Sequence, residues 1–144
     1  MDTPDNPPTD RPWLLAENCG EFSDHCGNLY GSFTDLDQGE AARFGFRVQP
    51  FHCNLRPICH GGMLATFLDV AMARGLRYGA DINPPLATIS MTLDYIGPAP
   101  LGSWIEARVC ISKVTRSLAF VQAMIHADNT PVLRGSAVFR HYVG

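Results

Sequence analysis

A curved antiparallel sheet wrapped around one long helix, an α+β arrangement, is the fold class this sequence predicts. Three observations carry the expectation. One stretch, Gly61 to about Tyr78, places apolar residues at three- and four-residue spacings. Four runs after it alternate at a period of two or are apolar on both faces, and two shorter runs of the same kind precede it. A single long helix among six strands has one economical way to bury its apolar surface, which is inside the curve of the sheet.

The runs justify the elements in order. Residues 1–12 hold four prolines and no apolar period, and are expected as a disordered tail ahead of one domain over residues 13–144. Trp13-Leu14-Leu15 opens a segment expected as a helical turn or two, ending near Gly20. Asn28 to Thr34 and Ala41 to Val48 read as strands joined by the polar turn Asp35-Leu36-Asp37-Gln38-Gly39. The helix from Gly61 carries the stripe Leu64, Phe67, Leu68, Ala71, Met72 and Leu76, and Gly79 with Pro84-Pro85 ends it. In Leu86 to Ile96 the apolar residues Ala87, Ile89, Met91, Leu93 and Tyr95 alternate with Thr88, Ser90, Thr92 and Asp94. Ile105, Ala107, Val109 and Ile111 give the next strand its inward face. Ser117 to Ala127 is apolar on both faces, as a central strand should be, and Val132 to Tyr142 is the last.

Length and composition exclude several function classes. At 144 residues, 46% hydrophobic and 17% charged, the chain has the makeup of one globular domain with a full core. Its net charge is -3, and Lys and Arg stand singly, so no basic patch for nucleic acid is formed. No run approaches the ~18 consecutive apolar residues of a membrane span. The start, MDTPDNPPTDRP, has the opposite pattern to a signal peptide, and five cysteines without framework spacing fit a reducing compartment, so a cytoplasmic protein is expected. His52-Cys53 and Cys59-His60 invite a zinc reading. The two cysteines are too far apart in sequence for the usual ligand pair, and adjacent ligands point apart, so no metal site is expected.

The chemistry gathers where the chain enters the helix, from Asn54 to Asp69. A helix N-terminus offers unpaired N–H groups and partial positive charge, suited to an oxyanion or a polarised carbonyl. Gly61 and Gly62 allow close approach to that backbone. Asp69 interrupts an otherwise apolar helix and is a candidate general base or nucleophile. Eight residues separate Gly61 from Asp69, about 12 Å along a helix. A base must lie within one hydrogen bond or one water of its target. If both groups act on one carbonyl, they come from different subunits.

At these residues the chain resembles the hotdog-fold acyl-CoA thioesterases, in the PaaI-like / thioesterase superfamily member 2-like family. The resemblance runs from about Asn28 to the C-terminus. It rests on Asn54 six residues before His60-Gly61-Gly62 and Asp69 nine after that His, with Ala87 to Tyr95 and Thr115 to Phe120 as further matches. It implies a homodimer or homotetramer that hydrolyses an acyl-CoA thioester without a cofactor, coenzyme A being part of the substrate. Asp69 would be general base or nucleophile, the Gly61 N–H would polarise the carbonyl, and His60 would shape that hole. Asn54 would orient water or thioester, and Thr88 stands where relatives carry a Ser that assists the water. Strict alternation puts Thr88 on the polar face of its strand, so it reaches the cleft at a strand end, a bulge or a subunit contact. For coenzyme A the resemblance points to Lys113, Arg116, Ser117 and Leu118, with Ser90 and Tyr95 nearby. Relatives carry Gly where this chain has Pro57.

Two other functions compete. A hotdog hydratase or dehydratase pairs an acid with a His at another spacing, and His52 is the candidate partner, but the proline-glycine entry to the helix is absent. A non-catalytic acyl-CoA-binding hotdog protein would not need Asn54, His60, Gly61 and Asp69 together.

Overall fold

The computed structural model describes residues 3–17, 19–83 and 85–142. The elements are β1 (Leu14–Leu15), α1 (Glu21–His25), β2 (Tyr30–Ser32), β3 (Glu40–Arg47), a 3-10 turn (Pro50–His52), α2 (Gly61–Gly79), β4 (Leu86–Tyr95), β5 (Trp104–Val114), β6 (Leu118–Ala127) and β7 (Thr130–His141). One antiparallel sheet runs in the order β1-β2-β3-β5-β6-β7-β4. The link through α2 carries β4 to the far edge, and β5 returns beside β3.

α2 fills the inside of that sheet, as its stripe predicts. Leu64, Phe67, Leu68, Ala71, Met72 and Leu76 are all buried, and Ile105, Ala107 and Val109 of β5 meet them from the sheet. Gly75 lets the helix settle onto β5, because a Cβ there would lie 2.6 Å from Val109 Cγ1. β6 is central, between β5 and β7, in keeping with its apolar residues on both faces. No helix among the described residues is long and apolar enough to cross a membrane.

The structure corrects two expectations. The segment from Trp13 is extended, not helical: Leu14 and Leu15 pair with Gly31 and Tyr30. The Trp13 ring stacks edge-on against Trp104 at 5.1 Å. Stacking on that large ring decides the conformation, and the short helix falls instead at Glu21–His25, with Glu21 and Asp24 in its first turn. The second correction is in β4, where the register shifts between Thr88 and Ser90. Thr88 lies opposite Phe139, a core residue, while Ala87 lies opposite the exposed Arg140 and Ile89 is 57% exposed. The bulge puts Thr88 on the helix side and takes Ala87 and Ile89 off it.

Residues expected as a tail lie against the sheet. Asp5 accepts from Asn28 Nδ2 at 2.8 Å and from the Tyr30 hydroxyl through its carbonyl at 2.9 Å. Arg47 donates to the Asn6 carbonyl at 2.8 Å.

Candidate active site

The loop into α2 is pinned before it reaches the helix. Asn54 N–H donates to the Ile58 carbonyl, His60 N–H to the His52 carbonyl, and Cys53 and Cys59 face each other between these bonds. Asn54 Oδ1 accepts from Arg56 N–H at 2.9 Å, closing a turn around the exposed tip. Leu101 N–H holds the Pro57 carbonyl at 2.9 Å.

His52 is the pillar of this loop. Its Nδ1 accepts from Gln49 N–H at 2.9 Å and its Nε2 donates to the Cys26 carbonyl at 2.5 Å. Burial holds its pKa below the ordinary value. Both ring nitrogens are in use, which leaves none for a substrate and removes the group a hydratase would need. The sequence offered no signal for this role beyond a histidine in an apolar run.

At the N-terminus of α2 the unpaired donors can be counted. His60 N–H goes to His52, Gly62 N–H to His60 Nδ1 at 2.8 Å, and Met63 N–H to the His60 carbonyl at 3.0 Å. His60 is thus the N-cap and shapes the turn. Of the four donors a helix start leaves free, only Gly61 N–H finds no acceptor among the described residues. Tyr95 stands against it. The hydroxyl donates to the Gly61 carbonyl at 2.6 Å, and a Cβ on Gly61 would sit 3.1 Å from the ring.

Asp69 is half-buried farther along α2, and Thr88 Oγ1 donates to its Oδ1 at 2.8 Å. No donor among the described residues reaches Oδ2. Its cleft, about 320 Å³, is bordered by Val70, Ala73, Arg74, Arg77, Leu86 and Phe139. His60 lines a different cleft with Met63, Phe51 and His52. The structure therefore joins Thr88 to Asp69, joins Tyr95 to Gly61, and keeps the two pairs apart within one chain. Sequence reasoning gave Arg74 and Arg77 no role; they are the cations of the Asp69 cleft, five and eight residues after Asp69.

Of the remaining candidates, Lys113, Arg116, Ser117 and Leu118 gather at the β5–β6 turn, which Thr115 closes through its hydroxyl and Leu118. That turn shares Thr88's end of the sheet, since Thr88 pairs with Phe139 and Phe139 with Ala119. Two strand spacings separate the rows, about 10 Å. Ser90 lies past the bulge opposite Val138, on the face away from Thr88. Tyr95 is seven residues farther along β4 than Thr88, about 23 Å, and so stands apart from the turn.

Comparisons with known proteins place this arrangement. The Thermus thermophilus phenylacetic acid degradation protein PaaI shares the fold: TM-score 0.70, 24% identity, 85% of this chain and 100% of that one. So does zebrafish thioesterase superfamily member 2, with TM-score 0.68, 21% identity, and 79% and 81% of the two chains. A Streptococcus pneumoniae protein described as a hypothetical thioesterase with coenzyme A matches at TM-score 0.68 and 14% identity, over 80% and 86%. The fold is the hotdog fold that the resemblance implies. In sequence, a Pseudomonas aeruginosa protein named "Putative esterase PA0474" is 31% identical over 93 residues, 65% of this chain and 69% of that protein. A model of the thioesterase superfamily matches residues 57–133, which span α2 and its entry loop through to the start of β7, and the chain belongs to that superfamily.

Proposed function

We propose that the protein is an acyl-CoA thioesterase whose active sites are each shared by two copies of the chain. One observation carries the reading: Asp69, held by Thr88, lines one cleft, while His60, the cap of the helix end that bears the unpaired Gly61 N–H, lines another cleft of the same chain. Each is half of what thioester hydrolysis needs. Water at the free oxygen of Asp69 loses a proton to it and attacks the carbonyl carbon. The oxyanion so formed accepts from the Gly61 N–H of the second copy, and its collapse expels the coenzyme A thiolate. Direct attack by Asp69 is the other route, through a mixed anhydride that water then opens. A single turnover in ¹⁸O-water separates the two, since only the anhydride route puts label into Asp69.

Asn54 is given the role of orienting water or thioester with its amide nitrogen, and His60 that of fixing the oxyanion turn. Coenzyme A is part of the substrate, and no cofactor is required. A related fold was solved with coenzyme A; the phosphate partners are assigned to Lys113 and Arg116 at the β5–β6 turn, beside Ser117 and Leu118. Ser90 and Tyr95 complete the proposed surface from the second copy's side. The homodimer or homotetramer is supported by β4, a ten-residue terminal strand with Ile89 and Tyr95 exposed, followed by the exposed Ile96. Such an edge invites pairing with another chain. A cytoplasmic setting suits the five free thiols.

A free-thiol assay over a panel of acyl-CoAs tests the reading. Asp69→Ala is expected to lower turnover about 100-fold or more. Unchanged turnover in that variant removes Asp69 from the mechanism. Tight binding of acyl-CoA without hydrolysis by the wild type would identify a binding protein instead.

A further inference from the structure

The sheet covers only one side of α2. Met63, Thr66 and Val70 on the other side, with Phe67 of the stripe and Phe46 of β3, line a cavity of about 250 Å³ together with residues of the stretch from Leu15 through α1 to Leu29. The cavity shares lining residues with both clefts of the candidate site. Cys19, Ser23 and Val70 border it and the Asp69 cleft, while Cys26 and Met63 border it and the His60 cleft. From Met63 to Val70 it follows α2 for about 10 Å.

We infer that this cavity receives the acyl group of the thioester and that the segment Cys19 to Cys26, which contains α1, sets the length it accepts. The inference rests on the thioesterase reading above. Three features support it. The walls on α2 and β3 are mostly apolar, with Met63, Phe67, Val70 and Phe46 contributing. The Thr66 hydroxyl is turned back onto the Gly62 carbonyl at 2.9 Å, so its donor is used within the helix. The opening beside Val70 adjoins Asp69, the neighbouring residue, so an acyl chain lying inside brings its carbonyl to the carboxylate.

Size then names the substrate class. A cavity of about 150 Å³ takes a benzene ring, and this one is larger by about two-thirds. It has room for a ring bearing two or three further carbons, or a straight acyl chain of about eight carbons, and not for a chain of about sixteen. The cover belongs to this chain's own N-terminal part, outside the residues 57–133 that match the superfamily. No α1 residue is buried; the Cys26 carbonyl on His52 ties the cover to the body, and Ala16 N–H on the Leu29 carbonyl closes its base. Changes in it can therefore alter the pocket without touching the core.

Non-hydrolysable S-alkyl-CoA thioethers read the cavity apart from catalysis. Affinity measured by calorimetry is expected to rise about fourfold per methylene buried from S-ethyl- to S-octyl-CoA, with no further gain at S-hexadecyl-CoA. Hydrolysis should follow the same profile, with kcat/KM peaking near octanoyl-CoA. Val70→Phe from the α2 side and Ser23→Phe from the cover should each lower the octyl-to-ethyl affinity ratio about tenfold or more. The second variant keeps the test decisive if the first fails to fold, because α1 has no core residue. An affinity that keeps rising to S-hexadecyl-CoA, or a ratio that folded variants leave unchanged, overturns the inference. Hydrolysis with a flat length profile leaves the thioesterase reading standing and removes the pocket. An octyl preference that both variants abolish, in a protein that cleaves no thioester, does the reverse.

Discussion

Asp69 has a hydroxyl on one oxygen and none on the other, which is what a base that must hold its orientation and still take a proton requires. A hydrogen bond to a charged group is worth about 1.5–3 kcal/mol. Thr88→Val should therefore lower kcat about tenfold to a hundredfold, and Thr88→Ser should restore most of it. Equal losses in both variants would mean that the methyl group, not the hydroxyl, matters. Gly61 permits a sharper experiment. It is the first residue of α2, where proline is well tolerated, and His60 before it has φ -60 and ψ 136, a conformation proline accepts in its predecessor. Gly61→Pro deletes the unpaired N–H while keeping the helix. Loss of one such donor is expected to cost about 100- to 1,000-fold in kcat. Gly61→Ala keeps the N–H and meets the same Tyr95 ring, so it controls for crowding. A Pro variant no worse than Ala would dismiss the N–H as the oxyanion donor.

At the scale of elements, the turn Pro50–His52 and the bulge in β4 position the site, and they show what could be read in advance. The helix, its buried stripe and the β5 face were legible because burial repeats at the period of the element. The bulge was not. Ile89 continues the alternation in sequence, and only pairing with β7 reveals that Thr88 and Ser90 take positions opposite successive residues, Phe139 and Val138. Alternation did indicate that Thr88 reaches the cleft only at a strand end, a bulge or a subunit contact, and the structure shows the bulge. His52 was illegible for another reason: its partners, Cys26 and Gln49, are set by loop paths that leave no period. Its burial has a measurable consequence. The folded protein holds His52 below its ordinary pKa of 6.5, and His126 is lowered likewise by burial and by Arg108 and Arg43. Below about pH 6.5 the unfolded chain takes up protons that the folded chain refuses, so stability falls as pH drops through that value and levels off below the folded pKa. Urea midpoints from pH 8 to pH 5 should show this decline, with a shallower slope in His52→Gln. An unchanged slope in that variant would place the titration elsewhere.

For the whole molecule the question is whether one chain holds a complete site. The rise of α2 separates Gly61 from Asp69 by about 12 Å, and the clefts lined by His60 and by Asp69 are distinct. In a two-fold dimer each site would then draw its carboxylate from one chain and its N–H from the other. Asp69→Ala and Gly61→Pro homodimers should both be inactive, since every site lacks one half. Mixing and re-pairing them makes heterodimers in which one site lacks both halves and the other has both intact. Random re-pairing makes about half of the dimers mixed, each with one good site of two, so about a quarter of wild-type activity should return. Separate affinity tags on the two chains let the mixed species be isolated, where the expectation rises to about half. Sites confined to single chains predict no recovery at any mixing ratio. Recovery near a quarter would assign the segment from Asn54 to Asp69 to two active sites at once, its loop end serving one and its carboxylate the other.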